Sequence, residues 1–228
     1  MEKLHQDKSR FERKYHVDQH LGWKFKQMLN RKGFKKSFPK RLINSVYFDT
    51  NNYSFFKDNI EGVGKRLKAR VRWYENIGFP SKNIDKIILE IKKKEGFVGT
   101  KEFYDLNLKV NRNKIFKTLN SNILLNKISH IVGKNVFPVL QTSYLREYFL
   151  SRNNKFRSTI DTNLFVKGLN IDNRFEIPIR KEIMEIKYSI KNDNDFRNTI
   201  VNKNFNFRLQ KFSKYVTGLI NLKQNGFI

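Results

Sequence analysis

The sequence predicts an α+β fold in which an antiparallel sheet closes as a barrel and helices lie at its flanks. Two observations support this prediction. Many segments alternate apolar and polar residues with a period of two, which is typical of strands, and helical patterns are few and scattered between them. A chain of 228 residues with 39% hydrophobic residues can form one sizeable core. No linker composition divides it, so we expect a single domain over residues 1–228.

The alternation predicts eight main strands, in order along the chain. They cover residues 9–16, 43–49, 65–74, 84–93, 100–108, 139–150, 155–161 and 183–188. Shorter strand pieces are expected near Phe165 and Phe175. Each segment is rich in β-branched or aromatic residues, which fit a pleated, half-buried surface.

Helical periodicity predicts the remaining elements. Asp18 is expected to cap a helix that carries apolar residues from Leu21 to Leu29 and ends at Gly33. Residues 111–132 contain one helix or two, and a short helix is expected over 196–201. A terminal helix is predicted from the apolar residues Phe212, Tyr215, Val216, Leu219 and Ile220.

The third strand has a face made only of cations. Residues two apart on a strand share a face, so Arg66, Lys68, Arg70 and Arg72 point one way and the apolar residues between them point the other. A solvated surface strand is the ordinary interpretation of such a pattern. Four neighbouring cations repel one another unless an anion lies among them, so the pattern predicts an anionic ligand.

The same alternation of charged and apolar residues recurs in other strands. The charged residues are Glu12, Lys14, Glu90, Lys92, Arg157, Asp161, Glu185 and Lys187. If every strand turns its apolar face outward, the sheet closes around a polar, cationic lumen. Arginine binds phosphate oxygens in bidentate fashion in such a space. Glu12, Glu90 and Glu185 are oxygen ligands of the kind that Mg²⁺ or Mn²⁺ prefers.

Composition narrows the class of partner. The formal net charge is +26, from 47 basic and 21 acidic residues, which indicates a polyanionic partner. Nucleic acid, an anionic membrane surface and polyphosphate all qualify. The aromatic residues alternate mostly on apolar faces, which favours packing over base stacking and argues against nucleic acid. Cysteine is absent, so disulfides and thiolate metal sites are excluded. No apolar stretch reaches spanning length, so we expect a cytoplasmic protein without a membrane span.

Eight motifs in order then give a resemblance to a known family. They are RFERKY (10–15), SVYFDT (45–50), RLKARVRWY (66–74), LEIKKK (89–94), SYLREYF (143–149), FRSTIDTNL (156–164), MEIKY (184–188) and KFSKY (211–215). Each motif alone is weak, but the eight in order make the chain resemble the VTC-type polyphosphate polymerase domain, a branch of the triphosphate tunnel metalloenzymes that also include the CYTH phosphatases. The resemblance covers almost the whole chain. It implies a closed tunnel of eight antiparallel strands, a nucleoside triphosphate held by its phosphates, and Mn²⁺ or Mg²⁺.

The resemblance also implies roles for individual residues. Arg70 and Arg72 correspond to arginines that clamp the triphosphate, Lys14 to a lysine close to the reacting phosphate, and Glu185 to the metal carboxylate. Glu12 and Glu90 are further candidate metal ligands. The other expected phosphate ligands are Lys68, Lys92, Lys101, Arg146, Arg157, Lys187, Lys211 and Lys214. Arg66 and Lys68 are expected at the tunnel rim or as supporting charge. Lys211 and Lys214, at i and i+3, are expected on one face of the terminal helix.

The implied activity is transfer of the terminal phosphoryl group of ATP to a growing polyphosphate chain. The opening motif has Arg10 where CYTH hydrolases carry the first of two alternating glutamates, which favours synthesis over two-metal hydrolysis. A tripolyphosphatase or nucleoside triphosphatase of the same fold, and a module that only binds polyphosphate, are the alternatives. The expected partners are ATP and polyphosphate. Stand-alone domains of this kind occur in bacteria, where membrane attachment needs a separate partner protein.

Overall fold

An eight-stranded antiparallel sheet, strongly curled, forms the body of the α+β fold. The computed structural model describes residues 10–78, 81–96, 98–169, 176–200 and 207–226. Its strands are β1 (Arg10–Asp18), β2 (Phe34–Asp49), β3 (Lys65–Asn76), β5 (Ile88–Glu95), β6 (Val98–Asp105), β8 (Phe137–Ser151), β9 (Arg157–Gly168), β10 (Ile177–Ile179) and β11 (Lys181–Ser189). In the order of hydrogen bonding, the sheet runs β1-β11-β9-β8-β2-β3-β5-β6, and the short strand β10 pairs with β9. The predicted α+β class with an eight-stranded antiparallel sheet is confirmed; among the described residues, β1 and β6 at the two ends of this order do not pair with each other.

The remaining elements are a small ladder and the helices. Strands β4 (Asn83–Ile84) and β7 (Val110–Asn111) pair with each other outside the main sheet. The helices are α1 (Trp23–Arg31), α2 (Ser54–Glu61), α3 (Ile115–Leu119), α4 (Asn122–Val132), α5 (Asp193–Asp195) and α6 (Lys214–Gln224). A π-helical turn, Phe196–Ile200, follows α5.

The curl of the sheet brings its two ends into electrostatic range. Strands β1 and β5 are far apart in the hydrogen-bonded order. Desolvation lowers the pKa of Lys92 on β5, and the carboxylate of Glu12 on β1 opposes this shift. The inner faces of β1 and β5 therefore lie opposite each other across one lumen. The right-handed twist that accumulates over eight strands allows such a curl.

Two apolar clusters cover the outer side of the sheet. One joins β2, β3 and β5 to α2, α3 and α4, with Val71, Ile91 and Ile128 fully buried. The other joins β1, β8, β9 and β11 to α1 and the π-helical turn, with Phe25, Ile160 and Ile186 at its centre. The apolar positions of the period-two pattern thus face outward under helices. The polar positions are left for the inside.

A third apolar cluster lies inside the curl, at one end, and α6 covers that end. Leu140 and Val166 line the inner face here and pack with Leu219 of α6. A side chain at Gly218 would bring its Cβ within 2.8 Å of a Leu140 methyl carbon and 3.1 Å of one on Val166, so glycine lets the helix lie close to the sheet. The Tyr215 hydroxyl donates a hydrogen bond to Asp49 and fixes the helix to the end of β2. We call this the plugged end, and we give the name open mouth to the opposite end, where Arg157 and Lys187 lie.

Several predicted strand limits differ from the structure. Strand β2 begins at Phe34 rather than at residue 43, because Lys, Pro and Ser in residues 35–40 hide a bulged, exposed strand pattern. The predicted strand 84–93 divides into β4 and β5. Strand 155–161 continues to Gly168 and includes the piece near Phe165, with Asn163 in the left-handed region at φ 50°. The piece near Phe175 lies outside the described residues.

The helices also require corrections. Asp18 does not cap α1: its carboxylate accepts a hydrogen bond from Lys181 at 2.5 Å, and a 3-10 turn, Gln19–Leu21, separates it from the helix. Gly33 follows α1 with φ 74°, as predicted. Residues 111–132 hold two helices. The helix predicted over 196–201 is the π-helical turn, and residue 201 is outside the described part of the chain.

Candidate active site in the lumen

Cationic side chains line the lumen from the open mouth to the plugged end. Strand register places the inward residues opposite one another: Arg70 faces Glu90, Lys68 faces Lys92, and Lys14 faces Glu185. The basic residues on this lining are Lys14, Lys68, Arg70, Arg72, Lys92, Lys101, Arg146, Arg157 and Lys187, and Lys214 enters from α6. The carboxylates on it are Glu12, Glu90, Asp161 and Glu185. Bases outnumber acids on the lining, so the lumen is a cationic space.

Glu90 is the centre of the first group of charges, the Glu90 cluster, formed with Arg70, Arg72 and Lys101. Its side chain is 4% exposed. Arg70 Nε donates to Glu90 Oε2 at 2.6 Å, Arg72 Nη1 lies 3.5 Å from Oε1, and Lys101 Nζ lies 3.4 Å from Oε2. Burial alone favours the neutral acid, but these cations hold the pKa of Glu90 well below its usual range. The cluster keeps a net positive charge.

Hydroxyl groups hold the two arginines from the opposite side. Arg72 donates through Nε to Ser45 Oγ and through Nη2 to Tyr144 Oη, both at 3.1 Å. Arg70 donates through Nη1 to Tyr47 Oη at 3.1 Å. The guanidinium groups are therefore positioned before any ligand arrives, which is the condition for electrostatic preorganisation.

Asp161 organises a second group, with Arg146 and Lys214. Arg146 makes a bidentate pair with it, Nε to Oδ1 at 2.5 Å and Nη2 to Oδ2 at 2.7 Å. Lys214 Nζ binds the same carboxylate and lies 4.3 Å above the ring of Tyr144. Burial opposes the charged carboxylate, but Arg146 and Lys214 outweigh it and lower the pKa of Asp161 to about 2. Tyr144 links this group to Arg72.

Two carboxylates and two lysines form a third group, the Glu185 cluster, on β1 and β11. Lys14 Nζ lies 2.8 Å from Glu12 Oε1 and 3.5 Å from Glu185 Oε2. Lys187 Nζ lies 2.5 Å from Glu185 Oε1 and 3.6 Å from Glu12 Oε2. Burial disfavours the Lys14 ammonium, but Glu185 and Glu12 raise the pKa of Lys14 to about 12. Lys14 is therefore charged at neutral pH.

Lys68 differs from Arg70 and Lys14 because its ammonium group binds a neutral hydroxyl group. Its Nζ donates to Ser213 Oγ, the residue that caps α6, at 2.9 Å. Burial and the nearby charges of Lys14 and Lys92 lower the pKa of Lys68 to about 7. An anion in the lumen would reverse these penalties by supplying the missing negative charge.

The structure brings most of the sequence-predicted residues together. Lys92 lies on the wall between the Glu90 and Glu185 clusters, and Arg157 faces Lys187 at the open mouth. Lys211 does not join Lys214 on a helix face, so that prediction is wrong. The Ser213 hydroxyl accepts from Val216 N at 3.4 Å and starts the helix at Lys214, which leaves Lys211 exposed before it.

Sequence reasoning missed the groups that hold the cations in place. Asp161, Tyr144, Ser45, Tyr47 and Ser213 each contact a predicted site residue. Asp161 carried a usable signal, because it shares a strand face with Arg157 at period two. The hydroxyl partners carried none, since Tyr144 and Arg72 are 72 residues apart and meet only through strand register.

The lumen carboxylates differ in how well they fit a divalent cation. Glu90 pairs with Arg70, Arg72 and Lys101, which suits a role in holding the two arginines; its role as a metal ligand stays a prediction. Glu12 and Glu185 lie side by side around Lys14 and Lys187. Burial and Glu185 oppose the charged form of Glu12, but the neighbouring lysines outweigh them and lower the pKa of Glu12. The two carboxylates suit Mg²⁺ or Mn²⁺ together with phosphate oxygens. Within the described ranges, no group of three or more His, Cys, Asp or Glu forms a metal cage by itself.

Comparisons with known proteins agree with this architecture. The model of the VTC domain family matches residues 9–223. The structure is similar to that of the PH1819 protein from Pyrococcus horikoshii OT3, with 15% identity, a TM-score of 0.53, and coverage of 94% of this chain and 99% of that one. It is also similar to a "putative adenylate cyclase" from Bacillus halodurans, with 12% identity, a TM-score of 0.52, and coverage of 91% and 95%. At these identities the similarity concerns the fold alone.

A search of the curated proteins found no match. In the part of the chain that the structure describes, none of the helices has the length and apolar character needed to cross a bilayer.

Proposed function

Because the chain belongs to the VTC domain family, we propose that it is a metal-dependent polyphosphate polymerase. In this proposal it transfers the terminal phosphoryl group of ATP to a growing polyphosphate chain inside the lumen. The family model covers nearly all of the chain, which supports a single domain over residues 1–228. The observation that carries the proposal is the pair Arg70 and Arg72, fixed by Glu90 and by tyrosine and serine hydroxyls, with Arg146 reached through Tyr144.

Phosphoryl transfer requires positioning and charge neutralisation more than covalent chemistry from the protein. Arg70, Arg72 and Arg146 present planar, multidentate donors to phosphate oxygens. Their hydrogen bonds to protein carboxylates and hydroxyls fix the guanidinium planes, so little reorganisation is needed when charge shifts between phosphate oxygens. Lys14, Lys68, Lys92 and Lys101 supply further charge along the lining.

Glu185, with Glu12 beside it, is the proposed carboxylate site for Mg²⁺ or Mn²⁺. A divalent cation bound there would neutralise phosphate charge and orient the phosphate oxygens. Lys14 and Lys187 now occupy these carboxylates. In the proposed complex, the two lysines turn from the carboxylates to phosphate oxygens, which keeps the charge of the site balanced.

The plugged end favours a second candidate function. A long chain that passes through the lumen needs two openings, whereas α6 and the inner apolar cluster cover one of them. A short substrate needs only the open mouth. A tripolyphosphatase or nucleoside triphosphatase, with water as acceptor, uses the same arginines and metal site.

One assay separates these functions. Purified protein is incubated with ATP and Mn²⁺ or Mg²⁺, and ADP, orthophosphate and long-chain, acid-labile polyphosphate are measured together. The polymerase proposal predicts ADP and polyphosphate in matching phosphate equivalents. Release of orthophosphate alone identifies the hydrolase. Absence of ATP turnover with either metal contradicts both and leaves a binding module.

A further inference from the structure

An exposed group of two aromatic rings and one arginine lies at the open mouth. Phe38 is 60% exposed and Tyr74 is 38% exposed. The guanidinium carbon of Arg41 lies 5.9 Å from the centre of the Phe38 ring and 6.0 Å from that of Tyr74. We call these three side chains the Arg41 platform.

A bulge in β2 creates this platform. The register of β2 against β8 shifts between Phe38 and Arg41, so Pro39 and Lys40 fall outside the regular pairing. The Phe38 ring then packs edge-on against Tyr148, 6.0 Å away at 72°. Bulges re-aim side chains next to functional sites, and this one leaves the Phe38 ring supported from one side and open on the other.

Strand register places the platform directly beyond the arginine clamp. Tyr74 follows Arg72 by two residues on the same face of β3, which separates them by about 7 Å along the strand. Arg41 lies opposite Arg146. A triphosphate held by Arg72 and Arg146 therefore has its outer end next to the platform.

The platform has the chemistry that recognises a nucleobase. Single exposed aromatic side chains are ordinary on protein surfaces. Here two rings and a guanidinium converge on one spot, and both aromatic faces and arginine planes stack bases. In a nucleotide only the ribose separates the base from the first phosphate, which matches a stacking surface placed one short step from a phosphate clamp. The Arg41 charge also suits the anionic end of the triphosphate.

We infer that the Arg41 platform binds the base of the nucleoside triphosphate by stacking, while Arg70, Arg72 and Arg146 hold the phosphates. This inference rests on the proposed function, because it assumes that the lumen binds a triphosphate. It adds a reason for the lumen to prefer a nucleotide over an inorganic polyphosphate of the same length. Stacking reads no base edge, so ATP and GTP are expected to bind alike.

The test compares two ligands on the full chain. Dissociation constants for ATP and for inorganic tripolyphosphate are measured by calorimetry with EDTA present, so that neither ligand turns over. Wild type should bind ATP more tightly than tripolyphosphate. Phe38→Ala and Tyr74→Ala should each weaken ATP binding about tenfold, the usual effect of losing one stacking partner, and leave tripolyphosphate binding unchanged. Trp23→Ala removes an equally exposed ring, 57% exposed on α1, and should change neither constant.

Three results would overturn the inference. They are unchanged ATP affinity in both platform variants, an equal loss for both ligands, and a wild type that does not distinguish ATP from tripolyphosphate. None of these three results contradicts the proposed triphosphate site, provided that wild type binds tripolyphosphate and Arg70→Ala weakens that binding. If wild type binds neither ligand, the proposed function itself fails. Circular dichroism of each variant verifies that the fold is retained.

Discussion

Arg70 and Lys68 are neighbours on one strand face, yet the protein treats their charges in opposite ways. Arg70 binds Glu90 and Tyr47 and is charged before any ligand arrives. Lys68 donates to the hydroxyl group of Ser213, and burial with nearby cations lowers its pKa to about 7. A cationic stripe in a sequence therefore contains two kinds of site. An arginine paired with an acid has a fixed geometry, whereas we expect a lysine paired with a hydroxyl group to gain charge when an anionic ligand binds.

The largest expected effect comes from removing the acid that supports the arginines. Glu90→Gln leaves Arg70 and Arg72 buried beside a neutral amide, and loss of one partner in a buried charge group costs about 3–5 kcal/mol. Urea denaturation should give a loss of this size in the free energy of unfolding. The matched change Glu95→Gln, in an exposed pair 3.8 Å from Lys65, should cost almost nothing. Equal stability of the two variants would show that Glu90 does not hold the arginine pair together.

A smaller change tests whether arginine geometry, rather than charge, matters. Arg72→Lys keeps the charge but cannot reach Ser45, Tyr144 and Glu90 together. We expect ATP turnover to fall about 100-fold, as when one preorganised donor is lost from a transition-state site. Arg31→Lys, on an exposed helix end, is the control. Full turnover by Arg72→Lys would mean that positive charge alone is sufficient.

The smallest effect concerns pH and distinguishes Lys68 from the arginines. A bound anion favours the charged lysine, so the pKa of Lys68 rises on binding and the protein takes up a proton. Affinity for tripolyphosphate is then greatest below pH 7 and falls as pH rises above it, by at most about tenfold per unit for one proton. Lys68→Met should reduce this slope. Wild type and Lys68→Met bind the same ligand, so the titration of tripolyphosphate itself contributes equally to both pH profiles. Identical slopes of affinity against pH in the two proteins would contradict the account.

Local patterns predicted most of the fold but not its interruptions. The period of two located β3, β8 and β11 because each alternates cleanly between a covered outer face and the lumen. It failed for residues 34–42, where Pro39 and basic residues break the alternation at a bulge. The helical pattern likewise failed to locate the start of α6. Lys211 and Lys214 both fit the pattern, but Ser213 caps the helix through Val216 and the helix therefore begins at Lys214.

The site divides in the same way. The charged lumen residues could be predicted from strand alternation and from motif order, because cations two residues apart on a strand lie on the same face. Their supports were not readable. Tyr144 reaches Arg72, and Ser213 reaches Lys68, only after eight strands curl and α6 enters the lumen. Sequence thus predicts which charges face inward, and tertiary register decides which of them are fixed.

Binding of tripolyphosphate to wild type and to Arg70→Ala tests the central claim most directly. The claim is that the lumen arginines grip a triphosphate, and calorimetry in EDTA measures that grip without turnover. We predict that wild type binds tripolyphosphate and that Arg31→Ala binds it equally well. Arg70→Ala should lose affinity by about 100-fold or more, as expected when a charged hydrogen-bonding partner is removed from a buried site. Equal affinity of wild type and Arg70→Ala would contradict the account.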